Sequence, residues 1–188
     1  MKNKSYFLFI PILFITISCR KIPKTPLTEQ ELITTLQLNF IDTTFPNTSY
    51  KFSFTDLDGD GGIQPLLDTI QLPKGKTYFL NLLLLDERNY PADTINIEIE
   101  ELDFEHQFFF QSIPLQLLQN IQYLDEDDNG MPVGLQSQLN TIDSISTGFF
   151  RVTLRHLPDK FATNVAQGDI TNANGETDIE IDFPIKLY

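Results

Sequence analysis

Apolar residues recur at every second position through most of this chain, in short runs separated by turn chemistry. Leu36, Leu38 and Phe40 alternate with Gln37 and Asn39, and Tyr50, Phe52 and Phe54 alternate with Lys51, Ser53 and Thr55. Period two is the mark of a half-buried strand, because successive side chains point to opposite faces. The same pattern places His106, Phe108 and Phe110 on one face, and Phe150, Val152, Leu154 and His156 on another. The last run is the cleanest. Ile179, Ile181, Phe183, Ile185 and Leu187 are expected to face in, and Asp178, Glu180 and Asp182 to face out, which suits an edge or solvent-facing strand. Residues 66–72 read as one short strand stopped by Pro73-Lys74-Gly75. Residues 78–85 are nearly all apolar and predict a central strand covered on both sides.

Residues 117–124 and 135–142 flank Asp127-Asp128-Asn129-Gly130 and predict a hairpin, since Asn-Gly accepts the positive φ that tight hairpin turns need. Residues 91–103 fit two patterns: Ile95, Ile97 and Ile99 suit a strand, and Ile95, Ile99 and Leu102 a helical stripe with Asp93 or Thr94 as N-cap, of which one short helix near 93–103 is favoured. Seven to nine strands at this spacing predict an all-β fold: a single antiparallel β-sandwich, immunoglobulin-like in architecture.

The N-terminus follows a different rule. Lys2 and Lys4 precede an apolar run over residues 6–17, and Thr16-Ile17-Ser18-Cys19 resembles a relaxed lipobox. A stretch this short is a targeting segment and not a membrane span. The expected organisation is a lipoprotein signal peptide over 1–18, a tether over 19–27 lipidated at Cys19, and a β-sandwich domain over 28–188. An ordinary signal peptide with an incidental cysteine is the competing reading. Acyl chains on Cys19 would hold the domain at a bilayer, since each buried CH₂ contributes about 0.8 kcal/mol.

Cys19 is the sole cysteine, so the domain has no disulfide, zinc–thiolate site or cysteine nucleophile of its own. Beyond Lys24, eight basic residues face all 26 acidic ones, a net charge of −18. Such a field repels nucleic acid and bare anionic membrane, and attracts cations or basic partners.

Three groups of residues are candidate sites. Asp56, Asp58 and Asp60 stand in D-x-D-x-D-G spacing, and alternating carboxylates on a tight glycine turn can give a calcium ion three oxygens. Leu67 occupies the position where an EF-hand needs a bidentate glutamate, so the open forms are a glycine-rich turn whose aspartates cap backbone N–H groups and a calcium-stabilised β-loop completed by Asp68 or backbone carbonyls. The capped turn is the first of these readings, and the calcium loop the second. Asp125, Asp127 and Asn129 repeat the spacing more weakly. His106 and His156, with Glu105 and Asp159 near them in sequence, are a candidate zinc, copper or haem site. The first expectation for each is a hydrogen-bonded core histidine, and the shared metal site is the alternative.

The segments ELITTLQL, FTDLDGDGG, EELDFEHQFFF, DEDDNGMPVGL, RVTLRHLPDK and GETDIEIDFPIKL occur here in that order. Together they resemble a family of small Bacteroidota lipoproteins often labelled "type 1 periplasmic binding fold superfamily protein", over nearly the whole mature chain. The resemblance implies an accessory role beside a TonB-dependent transporter in the uptake of a metal or small nutrient. Surface lipoproteins of that phylum tend to carry acidic residues after the lipidated cysteine. Arg20 and Lys21 stand there in this chain, which favours the periplasmic face of the outer membrane. The chain has no G-x-S-x-G elbow, P-loop or dinucleotide fingerprint, and a non-enzymatic binding or accessory module is expected. A structural or adhesive sandwich that binds glycan or protein is the alternative.

Overall fold

The structure is a computed structural model, and it describes residues 32–59 and 61–188. Cys19, its tether and Asp60 lie outside the described residues. The strands are β1 (Thr35–Asp42), β2 (Ser49–Thr55), β3 (Leu66–Leu67), β4 (Ile70–Leu72), β5 (Thr77–Asp86), β6 (Asp93–Thr94), β7 (His106–Ile113), β8 (Leu118–Tyr123), β9 (Gln136–Thr141), β10 (Ser146–His156) and β11 (Glu176–Leu187). One helix, α1 (Ile95–Glu101), falls where the helical stripe predicts it, with Thr94 as N-cap. Two sheets form an all-β sandwich. The larger runs β3-β2-β1-β5-β9-β8, with β6 also on β5, and the smaller runs β4-β11-β10-β7.

Alternation explains the layering. Leu36, Leu38 and Phe40 of β1 and Tyr78, Leu80, Leu82 and Leu84 of β5 are buried from one sheet. They meet Phe108 of β7, Phe150, Val152 and Leu154 of β10, and Phe183, Ile185 and Leu187 of β11 from the other. Phe40 and Phe150 approach across the layers with ring centroids 6.4 Å apart. Each such side chain contributes about 1.5–3 kcal/mol by leaving water.

Four expectations are corrected. Residues 66–72 are two strands in different sheets. The Asp68 N–H donates to the Ser53 carbonyl (2.9 Å) and its carboxylate accepts from the Ser53 N–H (2.8 Å), which fastens β3 to β2. Ile70 and Leu72 then bury in the opposite sheet. There β4 runs parallel to β11, the one parallel strand pair among the described residues. Strand β5 is central, yet it is buried on one face only, and Phe79 on the other is exposed. Its second edge is filled in turn by β9, by Asn96 and by β6. The Asn96 side chain accepts from the Leu84 N–H (2.7 Å) and donates to the Leu82 carbonyl (2.9 Å), so α1 is tied to the sheet by one amide. Strand β11 is not an edge, because it lies between β4 and β10. Its strict alternation also breaks near the N-terminal end. Leu154 pairs with Ile179 while Arg155 pairs with Thr177, so Asp178 is the extra residue of a β-bulge.

The connection from β10 to β11 folds back through two short 3-10 turns, Val165–Gln167 and Ile170–Asn172. Val165 and Ala173 pack there with Phe109 on the outer face of β7. The Gln107 side chain donates to the Val165 carbonyl (2.9 Å) and pins this excursion to the strand.

Candidate functional site

The two histidines start and end paired strands. β7 opens at His106 and β10 closes at His156, and the antiparallel register sets them directly opposite each other. Both lie in phase with the apolar face, as the alternation predicts. Their rings meet edge to face, with centroids 4.9 Å apart and planes at 79°. His106 is fully buried and His156 nearly so.

The bulge in β11 supplies the third member. Period two sends Asp178 outward, but the extra residue shifts the phase, and its side chain is 1% exposed beside the histidines. Asp178 Oδ2 lies 4.0 Å from His106 Nε2 and 3.8 Å from His156 Nδ1. Among the described residues, these three form the one group of histidine and carboxylate side chains placed to hold a metal ion, with ligand atoms within 4.8 Å of one another. Metal–ligand bonds of about 2.1 Å cannot bridge atoms more than about 4.2 Å apart, so side-chain shifts of several tenths of an ångström close the site.

The surroundings orient the His106 ring. His106 Nδ1 is 3.0 Å from the Leu102 carbonyl oxygen. A carbonyl only accepts, so Nδ1 carries the proton, and in the neutral ring the Nε2 lone pair faces Asp178. On the outer side of His156, Nε2 lies 3.6 Å from Glu105 Oε2. Only His106 therefore has a hydrogen-bonded oxygen acceptor behind it; Glu105 stands near His156 Nε2 but beyond hydrogen-bond reach. Metal-bound histidines are commonly held as His106 is. Glu105 thus lies by the histidine across the ladder, not its sequence neighbour. Asp159, the other carboxylate expected near the pair, is exposed and outside the cluster.

The donor set is nitrogen and oxygen without sulfur. Imidazole suits zinc, copper, iron and nickel, whereas calcium wants six to eight oxygens. A haem with both histidines as its axial ligands does not fit, since rings meeting edge to face leave no room for a porphyrin plane between them. Asp178 also borders a cleft of about 500 Å³ between the sheets, lined in part by Ile33, Phe54, Asp56, Arg88 and Ile181.

The acidic loops use their oxygens internally. Asp56 accepts from the Gly59 N–H (3.0 Å) and Asp58 from the Ile63 N–H (2.8 Å), which makes both turn caps. In the second loop, Asp125 accepts from the N–H groups of Gly134 (2.8 Å) and Gln136 (3.0 Å), and burial still pushes its carboxyl up. Asp127 Oδ1 accepts from Asn129 (2.9 Å) and Met131 (3.0 Å), while Oδ2 accepts from the Lys160 ammonium at 3.0 Å. Lys160 also donates to the Asp103 carbonyl at 2.7 Å. The expectation of a cation beside Asp127 is therefore met by the protein's own lysine. Asn129 takes part through its backbone N–H, and its side chain is exposed. Burial alone would raise the Asp127 carboxyl, but the Met131 N–H and Lys160 outweigh it and hold it below the usual range. Burial pulls the Lys160 ammonium below its own ordinary value.

Sequence reasoning missed Asp178 and Lys160. Nothing local marks either one. Asp178 is a third outward acidic position by period, and Lys160 is one basic residue in a connection. No protein-family model, no curated protein and no solved structure matches this chain.

Proposed function

We propose that this chain is a lipid-anchored cell-envelope module that binds a transition-metal ion, zinc or copper before calcium, without catalysing a reaction. The observation that carries this reading is the convergence of His106, His156 and Asp178 at the bulge, with the Leu102 carbonyl orienting the His106 ring. The lipobox-like sequence at Cys19 supports the anchor, and Arg20-Lys21 supports the periplasmic face of the outer membrane. A partnership with TonB-dependent uptake rests on the family resemblance, and co-purification with an outer-membrane transporter tests it.

The test of metal binding is equilibrium dialysis of the full lipoprotein in detergent against Zn²⁺, Cu²⁺ and Ca²⁺, followed by thermal unfolding. One equivalent of Zn²⁺ or Cu²⁺ is expected to bind and raise Tm, with no response to Ca²⁺. Failure of both transition metals to saturate would sink the proposal. The adhesive reading has weaker support. The exposed rings Phe45, Tyr90 and Phe161 lie on three separate connections.

A further inference from the structure

Resting on that metal-binding reading, we infer that Arg155 is the positioning residue of the site: it fixes the bulge that turns Asp178 inward, without touching the ion. Arg155 is the strand residue at which the ladder slips. Its guanidinium spans the segment that leads into Asp178. Nε donates to the Asn174 carbonyl at 3.0 Å, and Nη2 donates to the carbonyls of Asn174 (2.6 Å) and Gly175 (2.8 Å). Nη1 donates to the Thr177 hydroxyl, one residue before the carboxylate. A planar fork holds the two carbonyls and the hydroxyl from three nitrogens in a fixed geometry, whereas lysine's three donors all radiate from one nitrogen.

The clamped segment has little freedom. Asn174 and Gly175 both have positive φ, at 52° and 69°. A Cβ on Gly175 would stand 2.2 Å from the His156 carbonyl oxygen, so this backbone closes directly on the strand end that carries His156. One arginine thus sets the carboxylate ligand and braces the neighbouring imidazole. A regular ladder would leave Asp178 on the solvent face with Glu180 and Asp182. The bulge and its clamp are what make it a ligand.

Outer groups that orient metal ligands typically contribute 10–100-fold to affinity. The experiment titrates the full lipoprotein in detergent with Co²⁺, whose visible bands report coordination geometry. Arg155→Gln is expected to weaken Co²⁺ binding by about 10–100-fold and to change the band pattern, with the metal-free Tm little moved. Arg155→Lys should recover only part of the loss. Arg151→Gln, on the same strand but bonded to Asp182 away from the bulge, should match the unaltered protein. If Arg155→Gln fails to fold, Thr177→Val removes one arm of the clamp and should still weaken binding several-fold. Unchanged affinity and spectrum in the folded variant would overturn the positioning role and leave the metal site standing. Absence of Co²⁺ binding by the unaltered protein would overturn both.

Discussion

Asp127 and Asp178 are equally hidden, each with a side chain 1% exposed, yet the protein treats them in opposite ways. Asp127 is met by a permanent ammonium at 3.0 Å and by two backbone N–H groups. Asp178 is met by two imidazoles at 3.8 and 4.0 Å, whose charge depends on what binds them. Burying a carboxylate is costly unless something positive compensates. Where the chain provides its own cation, the result is a fixed joint among the 125–136 loop, the Asp103 turn and the β10–β11 connection. Where it provides imidazoles, ring nitrogens that can ligate an ion stand beside the carboxylate, and the result is a candidate site. Burial is common to both, and the partner decides the role.

The largest effect is expected from breaking the joint. Lys160→Met leaves Asp127 buried without its cation, and urea unfolding should show a loss of about 3–5 kcal/mol. A loss below about 1 kcal/mol would mean that water replaces the ammonium and that the two carboxylates differ less than their partners imply. Next is Asp178→Asn, which should weaken Zn²⁺ or Cu²⁺ binding by roughly a hundredfold or more, beyond the 10–100-fold range of outer-shell groups. Metal affinity that survives this change would place the ion elsewhere.

Acid separates the two regions further. The folded-state pKa of Asp127 is lowered, so its contribution to stability is fully present above the ordinary carboxylate value and is lost as pH falls through the folded one. Asp127→Asn should therefore flatten the acid limb of the stability–pH curve. Metal release should begin at higher pH, because an ion competes with protons for the imidazoles. Coincident transitions would merge the two regions into one titrating unit. Asp125→Asn comes next, since it exchanges one oxygen acceptor for an amide where the carboxylate takes two N–H bonds. About 1–2 kcal/mol should be lost, with metal affinity unchanged. The smallest effect belongs to Arg151→Gln. Its pairs with Asp182 and Glu180 are partly exposed to water, and a change within about 1 kcal/mol is expected by denaturant titration.

Much of the sandwich is legible along the chain because period two is a local property. Leu36-Leu38-Phe40, Phe150-Val152-Leu154 and Phe183-Ile185-Leu187 each declare a buried face without knowing their neighbours. The same logic places His106 and His156 on inward faces. It cannot show that β7 and β10 pair, or that the register sets the two rings opposite each other, because their residues lie 50 positions apart. It misplaces Asp178, since one extra residue in a ladder reverses the phase of what precedes it. It also misses the switch of residues 66–72 between sheets, which is set by the Asp68–Ser53 bonds.

By itself, then, the sequence determined an acidic, cysteine-poor, all-β body, the inward phase of both histidines and the turn-forming character of the two aspartate loops. Composition and short-range periodicity suffice for these. Tertiary structure alone decided which buried carboxylate meets a lysine and which meets histidines. That outcome depends on strand partners, one register slip and the arginine that spans it, and each of these is a relation between residues far apart in the chain.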